Sequence, residues 1–306
     1  TDHTYLYPAS GSAGPALKQD VSNGVTFANY TAHCSPNGWA DPSFSISDIP
    51  NLTNQDKYGL MIGNCCSSSE YQTVCFGEEI VRAANKGCVG YIGGSNSTYW
   101  DEDYYFGVGV GTITENPPAY EETTLGNYDR SFHDHGEEFG EWYTTMDQVI
   151  FAGNLAVLEG SPSRAEYYWD IYNLLGDPSL MVYFGNPEEM PVTHAGLITI
   201  GQPTFTVETE PYAYAALNRD GVTLAVALAD ENGNLELNVD GLTPGFVELV
   251  ITAQNRQPYF EEVLVFTPNG AFCIFESYVL EDDSLGNGNM LSEFDESVFL
   301  NISLKN

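Results

Sequence analysis

Tyr58-Gly59-Leu60-Met61-Ile62-Gly63-Asn64-Cys65-Cys66 is a short apolar run that ends in two adjacent cysteines. Upstream, a second apolar run, Val25 to Ala32, closes at His33. Runs of this length, bounded by turn residues, fit buried strands of a parallel sheet. One crossover between them would make the two strands neighbours. A His and a Cys that each end such a strand meet at the carboxyl edge of the sheet, where open α/β sheets place their ligands. A thiolate can attack an acyl carbon, and a neighbouring imidazole can protonate the departing amine. Taken singly, a Cys at a strand end is ordinarily a small buried apolar group, and a His an ordinary polar one. Their pairing at two strand ends is the informative feature.

The pattern of elements around this pair predicts an α/β domain. Ser47-Asp48 can start a short crossover helix. Phe76 to Lys86 reads as an amphipathic helix, with Ile80, Val81 and Ala84 on one side and Gly87 closing it. Cys88 to Ile92 is a third strand. Thr144 to Leu158 and Ser163 to Leu174 read as helices, the second stopped at Gly176. Repeated strand–helix–strand units give a mostly parallel sheet in three layers over residues 1–187. Asn186-Pro187-Glu188-Glu189 reads as a linker, with His194 just beyond it as a linker residue. Residues 188–271 then alternate with period two, as at Leu235, Leu237 and Val239, with turn signals at Asp220-Gly221 and Asn232-Gly233. That pattern predicts an immunoglobulin-like β-sandwich. Residues 272–306 read as the start of a further, truncated β domain. There Asp282, Asp283, Asn287, Asn289 and Glu296 are candidate oxygen ligands for a structural Ca²⁺, although their spacing is not that of an EF-hand.

Composition narrows the function. Nine Lys and Arg stand against 43 Asp and Glu, a net charge of -34. A nucleic-acid partner is excluded on that balance, since phosphate binding needs basic patches. The acid is dispersed, as suits a soluble surface, and it would steer cationic substrates. Of six cysteines, no two form a C-x-x-C pair or a zinc-like set. A disulfide among Cys34, Cys65, Cys75 and Cys88 stays open in pairing. No 18-residue apolar span occurs. No basic leader precedes the first strand, and the chain reads as truncated at both ends.

The stretches Asn29-Tyr30-Thr31-Ala32-His33, Trp39-Ala40-Asp41-Pro42-Ser43 and Ile62-Gly63-Asn64-Cys65-Cys66 together resemble the gingipain family of clan-CD cysteine peptidases. So do Cys75-Phe76-Gly77-Glu78, Tyr91-Ile92-Gly93, Tyr99 to Tyr105, and Gly176-Asp177-Pro178-Ser179-Leu180, in order over about residues 20 to 185. The resemblance is strongest to the lysine-specific branch. It implies a caspase-like fold, His33 as acid and base, and Cys66 rather than Cys65 as nucleophile. It implies an oxyanion hole from the backbone N–H groups of Cys66 and Cys34, the latter standing where the family usually has Gly. It also implies an S1 pocket with Asp103 at its floor, Tyr99 and Trp100 as its wall, and Thr31 and Asn64 as polar contacts. An aromatic wall accepts the aliphatic stem of a lysine, and a carboxylate takes its charge. Without the resemblance, Asp101-Glu102-Asp103 reads as a solvated acidic turn.

The activity so implied is a bacterial endopeptidase, secreted or at the cell surface, that cleaves proteins and peptides after Lys or Arg, with Lys preferred. It would work through an acyl-enzyme and need no cofactor for catalysis. In the family an acidic residue well upstream orients the His. That residue would lie in an earlier part of the same precursor, without which this chain is expected to be inactive. Two other readings are a surface adhesin that keeps the peptidase fold without turnover, and a secretion-linked sortase or signal peptidase of the same superfamily.

Overall fold

The computed structural model describes residues 12–114, 126–132, 136–268, 274–281, 287–289, 291, 294 and 297–305. The chain divides into two compact units, Thr1–Pro187 and Glu188–Asn306.

The first unit opens with α1 (Gly14–Asn23), with Pro15 in its first turn and Gly24 ending it at a φ of 102°. β1 (Phe27–Thr31) follows. A small antiparallel sheet of β2 (Cys34–Ser35), β3 (Gly38–Trp39) and β4 (Phe44–Ser45) lies directly after His33. A 3₁₀ turn, Ile46–Asn51, begins with the Asp48 carboxylate accepting the Ser45 N–H at 2.9 Å. Then come β5 (Leu60–Asn64), α2 (Phe76–Arg82), β6 (Gly90–Gly94) and α3 (Trp100–Val108). The unit continues with α4 (Asn127–Phe132), α5 (Met146–Gly160), α6 (Pro162–Ile171) and β7 (Tyr172–Leu175).

The main sheet runs β1-β5-β6-β7. The first three strands are parallel and β7 is antiparallel to β6. Every residue of β5 and of β6 is buried, as central strands covered on both faces require. Alternation along β5 sends Met61 to one face and Leu60 and Ile62 to the other. Met61 joins Leu17, Val21, Trp39, Phe44, Phe76 and Ile80. Leu60 and Ile62 join Phe106, Val149, Val157, Tyr168 and Ile171. The result is a three-layer α/β unit, the fold class that the sequence predicts.

Several boundaries differ from the sequence expectation. The helix expected over Ser163 to Leu174 ends at Ile171, and Tyr172–Leu175 is a strand. The free edge of β6 offers ladder hydrogen bonds that outweigh continued helical periodicity. The helix from Phe76 stops at Arg82 because Asn54 clamps the turn beyond it. Its Nδ2 donates to the Gly87 carbonyl at 2.7 Å, and its Oδ1 accepts the Gly87 N–H at 3.0 Å. The stretch read alone as a solvated acidic turn is the first turn of α3, with Glu102 and Asp103 buried.

The second unit is built of β8 (Thr193–His194), β9 (Leu197–Thr199), β10 (Thr204–Glu208), β11 (Tyr214–Arg219), β12 (Val222–Leu228), β13 (Asn234–Asn238), β14 (Gly245–Thr252) and β15 (Tyr259–Phe266). One sheet runs β13-β10-β8 and the other β12-β11-β14-β15-β9. They share a core of Phe205, Val207, Leu217, Leu235, Leu237, Leu249, Ile251 and Val263, which makes a β-sandwich. Asp220 and Gly221 both take positive φ at the β11–β12 hairpin, as its tight turn demands. His194 is not a linker residue. It pairs with Val207 in β8, and its side chain is 4% exposed against the Tyr259 hydroxyl and the Glu261 carboxylate. β16 (Ile274–Glu281) and β17 (Phe299–Lys305) form an antiparallel hairpin.

Gly63 is where sheet packing is tightest. A Cβ there would run into the Tyr91 hydroxyl, which already accepts the Trp39 indole N–H at 3.1 Å. Gly63→Ala is expected to destabilise the first unit by about 1–3 kcal/mol through overpacking. Urea denaturation of the variant against wild type measures this.

Candidate active site

Thr31 and Asn64 are the last residues of β1 and β5, and they are paired in register. His33 and Cys66 therefore each lie two residues past the same rung of the sheet. Tyr30 shapes the His33 loop. Its hydroxyl donates to the His33 carbonyl at 2.7 Å and accepts the N–H groups of Ala40 at 3.2 Å and Asp41 at 3.1 Å. Its ring stacks on Trp39 at 4.6 Å. The exposed His33 ring meets the edge of Trp100, with centroids 5.1 Å apart.

The Cys66 loop makes a sharp turn. Ser67 takes a φ of 56°, a left-handed conformation uncommon outside glycine. Its N–H reaches the Asn96 carbonyl at 2.9 Å, and the Ser69 N–H reaches the Gly94 carbonyl at 3.0 Å, tying the loop to the end of β6. The Thr98 N–H points at Cys66 Sγ from 3.3 Å. Cys65 is bonded to Cys34 in a disulfide, with Cα atoms 5.7 Å apart. That resolves the pairing the sequence left open. Among the described free cysteines, Cys75 and Cys88 are buried, and burial raises both thiols, whereas Cys66 is partly exposed. Cys34 is not among the residues with positive φ, so a side chain fits where the family usually has Gly.

Asp103 is 4% exposed. Its Oδ2 accepts the Thr98 hydroxyl at 2.7 Å, and its Oδ1 accepts the hydroxyls of Tyr168 and Tyr172, each at 3.0 Å. Hydroxyls thus engage both carboxyl oxygens. Burial lifts the Asp103 carboxyl from its ordinary 3.8 to about 6, against the pull of the three hydroxyls, and neighbouring Glu102 adds to the rise. Asn64 ties this group to the strand ends. Its Nδ2 donates to Thr31 Oγ1 at 3.1 Å and to the Asp103 backbone carbonyl at 2.7 Å, and its Oδ1 shares the single proton of the Tyr172 hydroxyl with Asp103 Oδ1. Tyr99 and Trp100 are 39% and 56% exposed. Arg164 lies over the Tyr99 ring at 3.5 Å and pairs with Glu102 at 3.2 Å.

The structure thus brings together Thr31, His33, Cys34, Asn64, Cys66, Tyr99, Trp100 and Asp103. Sequence reasoning missed Thr98, Tyr168, Tyr172 and Arg164. Tyr172 was hidden because its strand was read as helix, and Thr98 sits in a loop with no pattern to mark it. The candidate calcium ligands Asp282, Asp283 and Glu296 lie outside the described residues. Asn287 and Asn289 are described, and their side-chain oxygens accept the N–H groups of Asn289 and Leu291. Among the described residues no group of three or more His, Cys, Asp or Glu could hold a metal ion.

The sequence profile of peptidase family C25 matches residues 2–183. The chain belongs to that family. It is 34% identical over 275 residues to a Lys-gingipain of Porphyromonas gingivalis, covering 87% of this chain and 16% of the relative. Gingipain R2 of the same organism is 24% identical over 253 residues, covering 80% of this chain and 32% of the relative. A solved protease structure superposes with a TM-score of 0.72 at 36% identity, over 80% of this chain and 55% of that one. The crystal structure of the Arg-specific cysteine proteinase gingipain R gives 0.70 at 21% identity, over 84% and 57%, and speaks for the fold alone. The chain thus spans about one sixth of the length of the Lys-gingipain. No helix among the described residues is long and apolar enough to cross a membrane.

An acid whose pKa is higher folded than unfolded binds more protons in the folded state between the two values, so its contribution to stability falls as pH rises. For Asp103 that window runs from 3.8 to about 6. Relative to wild type, Asp103→Asn is therefore expected to melt at a temperature that rises between about pH 4 and pH 7, as linkage requires. Parallel thermal melts across that range check the sign.

Proposed function

We propose that this chain carries the nucleophile, the acid/base and the S1 pocket of a cysteine endopeptidase that cleaves after basic residues and prefers Lys. The observation that supports it most is the shared rung of β1 and β5, with His33 and Cys66 two residues beyond it and the backbone carbonyl of Asp103 joined to the same rung through Asn64. Cys66 Sγ attacks the scissile carbonyl. The N–H groups of Cys66 and Cys34 receive the oxyanion. His33 protonates the departing amine and then draws a proton from water to hydrolyse the acyl-enzyme. Trp100 packs in a T-shaped contact with the His33 ring and, with Tyr99, walls the S1 pocket. A lysine stem would pack on that wall, with its ammonium near Thr31, Asn64 and Asp103.

The preference for Lys follows from the pocket's end. Lys presents a compact charge, whereas Arg presents a planar fork that seeks two parallel acceptors. Hydroxyls already engage both oxygens of Asp103, which leaves it without a free parallel pair of acceptors and suits the point charge. Protein and peptide substrates with Lys or Arg at P1 fit a surface of net charge -34. Secretion or surface display in a bacterium fits a disulfide beside the site, since such bonds persist in oxidising compartments. Residues 1–187 carry the peptidase site. Residues 188–271 form an immunoglobulin-like support, and 272–306 begin a further β domain.

A P1 substrate library on the full-length enzyme tests the reading. Cys66→Ala should abolish turnover. Asp103→Asn should lower kcat/KM on Lys substrates by about ten- to a thousand-fold, the range for losing a desolvated charge partner. In wild type, kcat/KM on Lys substrates should fall as pH drops through about 6, where the Asp103 carboxyl takes up its proton. Equal turnover of Lys and Arg, or an Asp103→Asn variant that still prefers Lys, would refute the pocket.

A further inference from the structure

We propose that the Cys34–Cys65 disulfide is a positioning element for acyl transfer, so that full activity needs this pair oxidised while Cys66 is reduced. The inference rests on the peptidase reading and extends it to how the oxyanion donors are held. The parallel ladder between β1 and β5 ends at Thr31 and Asn64. Immediately past it, the chain must hold two loops in mutual register, one bearing His33 and the other Cys66. The disulfide joins the residue after the His to the residue before the nucleophile. It therefore binds the two loops covalently at the point where the backbone ladder has stopped.

Its placement bears on the oxyanion hole. The proposed donors are the N–H groups of Cys34 and Cys66. Cys34 is itself one end of the disulfide, and Cys66 is bonded through its own N–H to the other end. Cys34 Sγ also lies 3.0 Å from the Cys66 carbonyl oxygen. Because that sulfur is bonded to Cys65, the approach is a sulfur–oxygen packing contact. Moving either cysteine moves a donor. Oxyanion donors act only when aimed in advance, and displacing a reacting group by about 1 Å can cost about a hundred-fold in rate. Cys65 is fully buried and Cys34 partly exposed, so a reductant reaches the bond from the Cys34 side. A dithiol would attack Cys34 Sγ and release Cys65 as a thiol, and its second sulfur would then close the reductant's disulfide and release Cys34 as a thiol, passing two electrons to the protein. Of the two adjacent cysteines, one is thus committed to the staple and the other is left free as nucleophile.

The test compares the full-length wild type with the double variant Cys34→Ser/Cys65→Ser. Two rates are read. One is turnover of a peptide nitroanilide with Lys at P1, split into kcat and KM. The other is alkylation of Cys66 by iodoacetamide, followed by mass spectrometry, which forms no oxyanion. The expected result is a fall in kcat of about ten- to a hundred-fold, as for a misplaced oxyanion donor. KM should stay within a few-fold and the alkylation rate should be nearly unchanged. Wild type reduced with a phosphine should show the same loss and recover on reoxidation, which keeps the test available if the variant does not fold. An unchanged kcat in the variant or in the reduced enzyme would overturn the proposal. A parallel fall in kcat and alkylation would also overturn it, by showing that the bond only keeps the loops folded. If wild-type Cys66 alkylates but no Lys substrate turns over, the peptidase reading itself fails, and this proposal with it.

Discussion

Parallel pairing of β1 with β5 is the constraint on which the site depends. Two strands that share the Thr31–Asn64 rung deliver whatever follows them to one edge of the sheet. The rung is fixed by burial. β5 is apolar on both faces, and a shift of one residue would exchange Met61 with Leu60 and Ile62 between two differently shaped cores. Glycine at position 63 lets Tyr91 close over the strand next to that rung. The chemistry is thus placed by packing several residues before it begins.

The second organising feature is the buried Asp103 carboxyl. An isolated carboxylate in such a place is costly, and three hydroxyls and a network through Asn64 are what make it tenable. Each partner comes from a different element. Thr98 precedes α3, Tyr168 lies on α6, and Tyr172 opens the antiparallel strand β7. Burial holds the two tyrosines far above the ordinary phenol range, so both stay protonated donors. The edge strand and the last helix therefore hold the Asp103 carboxyl as well as complete the fold. The same loop that supplies the Thr98 hydroxyl to Asp103 turns its backbone N–H toward Cys66, so the Asp103 carboxyl and the Cys66 thiol share a support.

Much of this was legible in the chain. Apolar runs that stop at His33 and at Cys66 mark two neighbouring parallel strands, and the alternation at Leu235 and Leu237 marks a sandwich core. What was not legible depends on partners remote in sequence. Tyr172 has no local reason to leave the helix, and it does so because the edge of β6 is open. Asp101-Glu102-Asp103 looks like a solvated run, yet Glu102 meets Ser161 and Arg164, and Asp103 meets two tyrosines of the last helix and strand. His194 looked like part of a linker because its partners, Tyr259 and Glu261, lie some 65 residues on. The choice between Cys34, Cys65, Cys75 and Cys88 as disulfide partners likewise needed the loops placed in space.

Among the described cysteines, Cys66 alone is both free and partly exposed, which fits its proposed role as the nucleophile. Treating the full-length enzyme with a lysyl chloromethyl ketone, then mapping the adduct by peptide mass spectrometry without reduction, tests it directly. One adduct is expected, on Cys66, in molecules whose Cys34–Cys65 disulfide is intact. An adduct on Cys34, Cys65, Cys75, Cys88 or Cys273, or a disulfide that includes Cys66, would contradict it.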